Sequence, residues 1–153
     1  MREPTILRFV SILYRYSQIY LAKRLKPYRV GAGQHSFILA VCRHPGMNQD
    51  GLSERLVIDK GTTAKAVKEL ESDGFILREA DPTDKRTNRL YPTQKGEELK
   101  EELDLFLVEW RDVLWKGFSE GEKTQAYYLV EKMAENAKDY FSQKRKTGAC
   151  IPK

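Results

Sequence analysis

Between Asn48 and Thr93 the chain reads NQDGLSERLVIDKGTTAKAVKELESDGFILREADPTDKRTNRLYPT. The order of local signals in this stretch leaves few folds open. Two short helical patterns meet at a tight turn, a glycine stop follows, and two strand-like runs flank a polar, charged tip. That order is a helix-turn-helix followed by a β-wing. Asn48 is a cap for a helix carrying Leu52 and Leu56 on one face. Asp59 is the next cap, just before KGTTAKAVKELES. Within that run Thr63, Ala66, Val67 and Leu70 fall at helical spacing and should face inward. Lys60, Gly61, Thr62, Ala64, Lys65 and Lys68 are left on the outward face. Gly74 ends the helix, because glycine takes the left-handed cap conformation without strain.

The outward face suits a nucleic-acid groove. Gly61 and Ala64 are small enough for close backbone approach. Thr62 places a hydroxyl at the helix N-terminus, where backbone N–H groups favour phosphate, and Lys65 and Lys68 can reach base edges or phosphates. An ordinary solvated face with three lysines would look the same in isolation; the flanking helix and wing favour the groove. Phe75, Ile76 and Leu77 open one strand, and Arg89, Leu90 and Tyr91 suit its return. Pro82 keeps Asp81 extended, and Lys85 and Arg86 sit at the tip. An arginine there can enter a narrow minor groove, with Asp84 expected to orient Arg86 by a charge-assisted hydrogen bond. A hairpin kept charged for solubility is the plainer alternative.

At these residues the chain resembles the MarR family of bacterial regulators. The family's wing pattern, acidic-Pro-x-Asp-x-Arg, appears as Asp81-Pro82-Thr83-Asp84-Lys85-Arg86. Its Leu-Thr-x-x-Gly appears as Tyr91-Pro92-Thr93-Gln94-Lys95-Gly96, with Tyr91-Pro92 where leucine is usual. The resemblance runs from the first helix to about Tyr140. It implies a homodimer with one winged helix-turn-helix per subunit and a wing arginine on DNA. It also implies release of DNA on binding a small molecule, as in many members.

Outside the reading head the pattern is helical. Pro4 suits a first helical turn, and Ile6, Phe9, Val10, Leu13, Ser17 and Tyr20 mark one stripe ending near Pro27. A shorter helix is predicted from about Gly33 to Arg43, with Phe37, Ile38 and Val41 inward, and His44-Pro45-Gly46 breaks it. Thr93 caps a long helix over 94–118 bearing Leu99, Leu103, Phe106, Trp110, Val113 and Leu114. Ser119 caps the last helix, with Ala126, Val130, Met133, Ala137, Tyr140 and Phe141. The division that follows is a dimerisation helix at 1–30, a winged helix-turn-helix at 31–93, dimerisation helices at 94–145 and a frayed tail at 146–153. The fold class is mainly α with a small β-wing. A helix over 94–118 would span ~37 Å, too long for a compact winged unit to cover. The leftover apolar stripes therefore call for a two-fold partner, which would set two half-sites about 34–36 Å apart on double-stranded DNA.

Charge sharpens the picture. The net +5 is concentrated in residues 1–47, with eight Lys/Arg against one acid, whereas 48–93 carry eight against nine and 94–153 eleven against twelve. The reading head must therefore sort its charge onto one face, with Glu69, Glu71 and Asp73 at the far end of the helix. Lys23, Arg24, Lys26, Arg29 and Arg43 could grip phosphates beside it, or could simply solubilise a helix end. No run approaches ~18 apolar residues, so no membrane partner is expected. The N-terminus lacks a signal-peptide core. Two cysteines give no disulfide framework. A cytoplasmic bacterial or archaeal protein is expected.

A small aromatic or anionic effector could sit against Tyr16, Tyr20, Arg24, His35 and Arg43, although such residues also serve as ordinary core and surface. Peroxide-sensing relatives use a first-helix cysteine, absent here; Cys42 and Cys150 leave a redox-responsive regulator as an alternative. Cys42, His44 and His35 are too few for a metal site, and no cofactor is expected. No phosphate loop, metal-helix motif or nucleophile elbow supports an enzyme. A winged-helix protein-interaction module is the other alternative, favoured by the −1 charge of residues 48–93. The sequence thus predicts a dimeric, sequence-specific DNA-binding regulator, a repressor, reading a palindromic operator.

Overall fold

The computed structural model describes residues 5–147, with side chains through residue 143. Pro4, Cys150 and the tail beyond Thr147 lie outside the described residues. Helix α1 (Ile6–Leu25) leads through single 3-10 turns at Lys26–Tyr28 and Ala32–Gln34 into α2 (His35–Arg43). Strand β1 (Met47–Asn48), α3 (Gln49–Leu56), α4 (Lys60–Ser72), β2 (Ile76–Ala80) and β3 (Asn88–Pro92) follow. Two long helices, α5 (Gln94–Leu114) and α6 (Glu120–Thr147), complete the chain. The class is the expected one: mainly helical, with an antiparallel sheet in the order β1-β3-β2.

The expected caps form. Asn48 Oδ1 accepts from Gly51 N at 2.8 Å and starts α3; Asp59 Oδ1 accepts from Thr62 N at 2.8 Å and starts α4. Helix α4 closes at Gly74, φ +77°. There Phe75 N donates to Leu70 O and Gly74 N to Glu71 O at 2.9 and 3.0 Å, a Schellman closure. Leu70 and Phe75 are both buried beneath it. Ser119 and Glu122 cap α6 reciprocally, with Glu122 Oε2 accepting from Ser119 N at 2.8 Å and Ser119 Oγ from Glu122 N at 3.3 Å.

Packing divides the chain into a unit ending at Arg111 and one beginning at Asp112. The first unit holds the core. Leu21 and Leu25 of α1, Phe37, Ile38 and Val41 of α2, Leu52 of α3, Val67 and Leu70 of α4, Leu90 of β3, and Leu99 and Leu103 of α5 are all buried in it. Residues 94–111 thus pack with the reading head and the end of α1. The N-terminal half of α1 does not: of the predicted stripe Ile6, Phe9, Val10 and Leu13 are exposed and Ser17 and Tyr20 half-buried, and the buried residues of α1 are Leu21 and Leu25, outside it. In the second unit Trp115 packs its ring against Phe118 and Tyr127 at 5.3 and 5.4 Å between centroids, and α6 has no buried residue among those described.

Three details differ from the sequence reading. Helix α5 stops at Leu114 rather than 118, and the turn that follows carries Gly117 at φ +85°. Helix α2 starts at His35, after the 3-10 turn, rather than at Gly33. Strand β1 was not foreseen. Met47 pairs with Leu90 and Asn48 with Arg89, and Gly46, at φ +85°, donates its amide to Leu90 O at 2.8 Å.

The tightest junction lies where α4, the sheet and α5 meet. Thr93 Oγ1 donates to Gly74 O at 2.6 Å, with Phe75 O at 3.1 Å, and accepts from Gly96 N at 3.1 Å. Thr93 N donates to Phe75 O at 3.1 Å. A β-carbon on Gly96 would overlap that same carbonyl oxygen, so α5 can cross here only with glycine. Gly96→Ala is expected to lower stability by about 2–3 kcal/mol, measured by urea unfolding; an unchanged midpoint would show that the junction yields freely.

Candidate nucleic-acid interface

Helix α4 presents the predicted surface. Thr63, Ala66, Val67 and Leu70 are buried; Lys60, Gly61, Thr62, Lys65 and Lys68 are exposed and Ala64 half-buried. The helix start is occupied by its own cap, since Asp59 accepts from both the amide and the hydroxyl of Thr62, the latter at 2.7 Å. These bonds hold the Asp59 carboxyl below its ordinary pKa, Thr62 foremost. A carboxylate at this N-terminus opposes a phosphate there. Thr62, its hydroxyl proton committed to Asp59, is left with acceptor capacity and a methyl group toward a groove.

The lysines differ in freedom. Lys60 lies 3.1 Å from Asp50, and Lys65 3.9 Å from Glu69. Lys68 has no carboxylate in ion-pair range among the described residues. Glu69 is drawn aside by Gln34, whose Nε2 donates to it at 2.8 Å, and Glu71 pairs with Arg78 at 3.0 Å. Glu69 and Glu71 at the far end of α4 are thus engaged with neighbours, and Lys68 is left free on its outward face. In the turn before α4, Val57 takes φ +54° with its side chain almost wholly exposed, a conformation rare for a β-branched residue.

The wing is organised by Asp81. Its Oδ1 accepts from Thr83 N at 2.8 Å, from Thr83 Oγ1 at 2.6 Å and from Asp84 N at 3.3 Å. Its Oδ2 accepts from Arg89 Nε at 2.8 Å. Asp84 does not orient the Arg86 guanidinium as expected: its carboxylate accepts from the Arg86 backbone N at 3.0 Å. It forms a turn with the chain instead of an ion pair, because a carboxylate two residues back reaches the amide more readily than the far end of a long side chain. Lys85 and Arg86 stand exposed at the tip, with no carboxylate in ion-pair range among the described residues.

The predicted effector residues do not converge. Tyr20 and Arg24 come together: the Tyr20 ring stacks on Trp110 at 4.9 Å, and its hydroxyl donates to Glu109 at 2.8 Å. Arg24 lies over the Tyr20 and Phe106 rings at 5.5 and 5.3 Å and is ion-paired with Glu109. An anion at Arg24 would have to displace Glu109. Elsewhere, Arg43 pairs with Asp104 at 2.8 Å, His35 Nδ1 bonds the Ala32 carbonyl, and Tyr16 is exposed. The sequence reading missed Glu109, Trp110 and Phe106, whose only signal was helical spacing on α5. Cys42 is half-buried with Sγ 3.7 Å from Gly96 O. Burial, then Glu97, pushes its thiol up to about 11, so the thiolate that redox chemistry needs is scarce at neutral pH.

The Thr83 bonds, followed by Arg89, hold the Asp81 carboxyl well below the usual carboxylate range. A pKa lowered by folding contributes stability that is complete above the unfolded value of about 3.9 and is lost as pH falls through the folded value. The Asp81 carboxyl carbon, followed by NMR, should therefore titrate clearly below about pH 3.9, with the wing intact across the neutral range. Asp81→Asn should speed amide exchange at Thr83 and Asp84; a midpoint at the ordinary aspartate value or above would remove Asp81 as the wing's organiser.

Known proteins share both the fold and the sequence of this frame. The MarR family profile matches residues 32–87. A MarR transcriptional regulator from Methanosarcina mazei Go1 is 37% identical and superposes with a TM-score of 0.83, covering 88% of this chain and 97% of that one. A Listeria monocytogenes structure described as of the MarR family, complexed with 26mer DNA, is 26% identical over the full length of both chains, with a TM-score of 0.87. The HTH-type transcriptional regulator BilQ of Clostridium symbiosum is 27% identical, covering 94% of this chain and 99% of its own. The chain belongs to the MarR family of transcriptional regulators.

Proposed function

We propose that this protein binds double-stranded DNA sequence-specifically as a homodimer on a palindromic operator, and represses by occupying it. Helix α4 reads the major groove through Gly61, Thr62, Ala64, Lys65 and Lys68, with Lys60 at its start. The wing places Lys85 and Arg86 at the adjacent minor groove. The observation that carries this reading is the ordered wing: Asp81 fixes its backbone while the two cations at its tip have no carboxylate partner among the described residues. A hairpin charged only for solubility has no need of a carboxylate spending both oxygens on tip geometry. The relative complexed with DNA supports the same partner.

The exposed apolar residues of α1, α5 and α6 support the dimer. Ile6, Phe9, Val10 and Leu13, then Val113 and Leu114, then Val130, Met133, Tyr140 and Phe141 face solvent in the single chain. Helix α6 has no buried residue among those described, and most helices in proteins draw their stability from packing an apolar face against a partner. On this reading residues 1–30 and 94–145 supply the dimer surface and 31–93 the reading head. The site of action is the cytoplasm, and repression follows from steric occupation, which asks for no further surface.

The test is selection from random duplexes by the purified protein, followed by sequencing. Enrichment of a palindrome with half-sites about one helical turn apart is the expected result; a folded dimer that enriches nothing at low salt would overturn the reading and favour a protein-interaction module. Arg86→Ala should weaken binding to operator and random DNA alike and reduce the salt slope by about 0.9 for each phosphate left without its cation. Unchanged affinity takes the wing tip out of the mechanism.

A further inference from the structure

We infer that Lys23 at the C-terminal end of α1 and Lys26 and Arg29 in the 3-10 turn that follows form a second contact for the DNA phosphate backbone, separate from α4 and the wing. The inference rests on the double-stranded DNA reading above and adds residues to it. It begins from charge. Residues 48–93 carry eight cations and nine acids, and three of those cations are held by carboxylates at 3.1 Å or less: Lys60 by Asp50, Arg78 by Glu71 and Arg89 by Asp81. Non-specific attraction to DNA scales with the phosphates neutralised, and the head alone supplies few free cations. The surplus lies in residues 1–47, eight against one.

Within that surplus the structure separates two groups. Arg24 pairs with Glu109 and Arg43 with Asp104. Lys23, Lys26 and Arg29 are exposed, and none has a carboxylate in ion-pair range among the described residues. Lys23 and Lys26 are three residues apart across the end of α1 and so share a face.

The backbone adds an independent observation. Arg29 sits at φ +56°, in the left-handed region that glycine occupies without strain. That conformation caps the 3-10 turn, with Arg29 N donating to Lys26 O at 3.2 Å; it fixes the backbone at Arg29 while the exposed guanidinium has no carboxylate in ion-pair range among the described residues. The turn is also fastened to the reading helix. Gly31, two residues on, donates its amide to Gln34 Oε1 at 2.9 Å, and Gln34 Nε2 donates to Glu69 of α4 at 2.8 Å. These two bonds place the turn after α1 beside the outward side of α4 at Glu69. Long, exposed side chains without a fixed hydrogen-bond frame suit phosphates, which position a protein, rather than base edges, which specify sequence.

The experiment is the salt dependence of binding to the duplex that the wild-type protein selects. Each phosphate neutralised adds about 0.9 to the slope of log affinity against log salt. The triple variant K23Q/K26Q/R29Q should lower that slope by up to ~2.7 per subunit while selecting the same consensus. Arg29→Gly alone should lower it by about 0.9 with a urea midpoint no lower than wild type, because the strained conformation is relieved; weakened binding is thereby kept apart from a damaged fold. A triple variant with the wild-type slope overturns this inference and leaves the DNA reading standing. An altered consensus also overturns it, assigning these residues to bases. Wild-type protein that binds no duplex at low salt removes the reading beneath it.

Discussion

The position of the reading head depends on one hydroxyl. Thr93 Oγ1 closes onto the carbonyls just past the end of α4 and accepts from Gly96 N in the first turn of α5. In one side chain it ties the C-terminus of the reading helix, both wing strands and the long helix. The fit is enforced from the other side by Gly96, which lets α5 pass so close to Phe75 O that no side chain fits between them. Threonine and glycine three residues apart are therefore one device: the first supplies bonds and the second supplies proximity. Interiors this close-packed do not deform smoothly, so a displacement of α5 here is transmitted to Gly74, and through Gly74 to α4.

Much of this was legible because it is local. Asn48, Asp59, Thr93 and Ser119 each satisfy amides within three residues of themselves, and Gly74 needs only its own dihedral angle. The inward set of α4 followed from helical period alone. What escaped was non-local or conformational. Strand β1 is two residues long and exists only because Leu90 lies opposite it. The end of α5 was misjudged because Trp115 and Phe118 look like a continuing apolar stripe, while Gly117 sets the turn. Asp81 binds Arg89, not the Arg86 that Asp84 was expected to hold, because the hairpin register pairs Arg89 with Glu79 and so brings it diagonally within reach of Asp81. The positive φ of Arg29 and of Val57 has no residue-type signal at all.

The same distinction explains the candidate sites. The DNA-facing residues lie within one helix and one hairpin, so sequence order sufficed to group them. The five effector candidates were drawn from two helices by chemistry, with no knowledge of what α5 places among them. Glu109 decides the outcome there. It gathers Tyr20 and Arg24 into a satisfied network and leaves Arg43 and His35 to other partners, so the corner fastens α1 to α5. Charge follows the same logic on a larger scale. A head with net charge −1 is compatible with DNA because Asp59, Asp81 and Asp84 are spent on caps and turns and Asp50, Glu69 and Glu71 on side-chain pairs, while Lys68, Lys85 and Arg86 face outward.

Asp81 carries the wing's architecture with its own oxygens, while Asp84 and Thr87 complete the turn through the backbone. Neither the Lys85 nor the Arg86 side chain bonds to another of the described residues. The tip is thus a mounting whose fittings can be exchanged: side chains at these two positions can change without disturbing the loop that bears them. Descendants of this chain could alter what the wing feels in DNA by single substitutions, with no refolding step between one preference and the next.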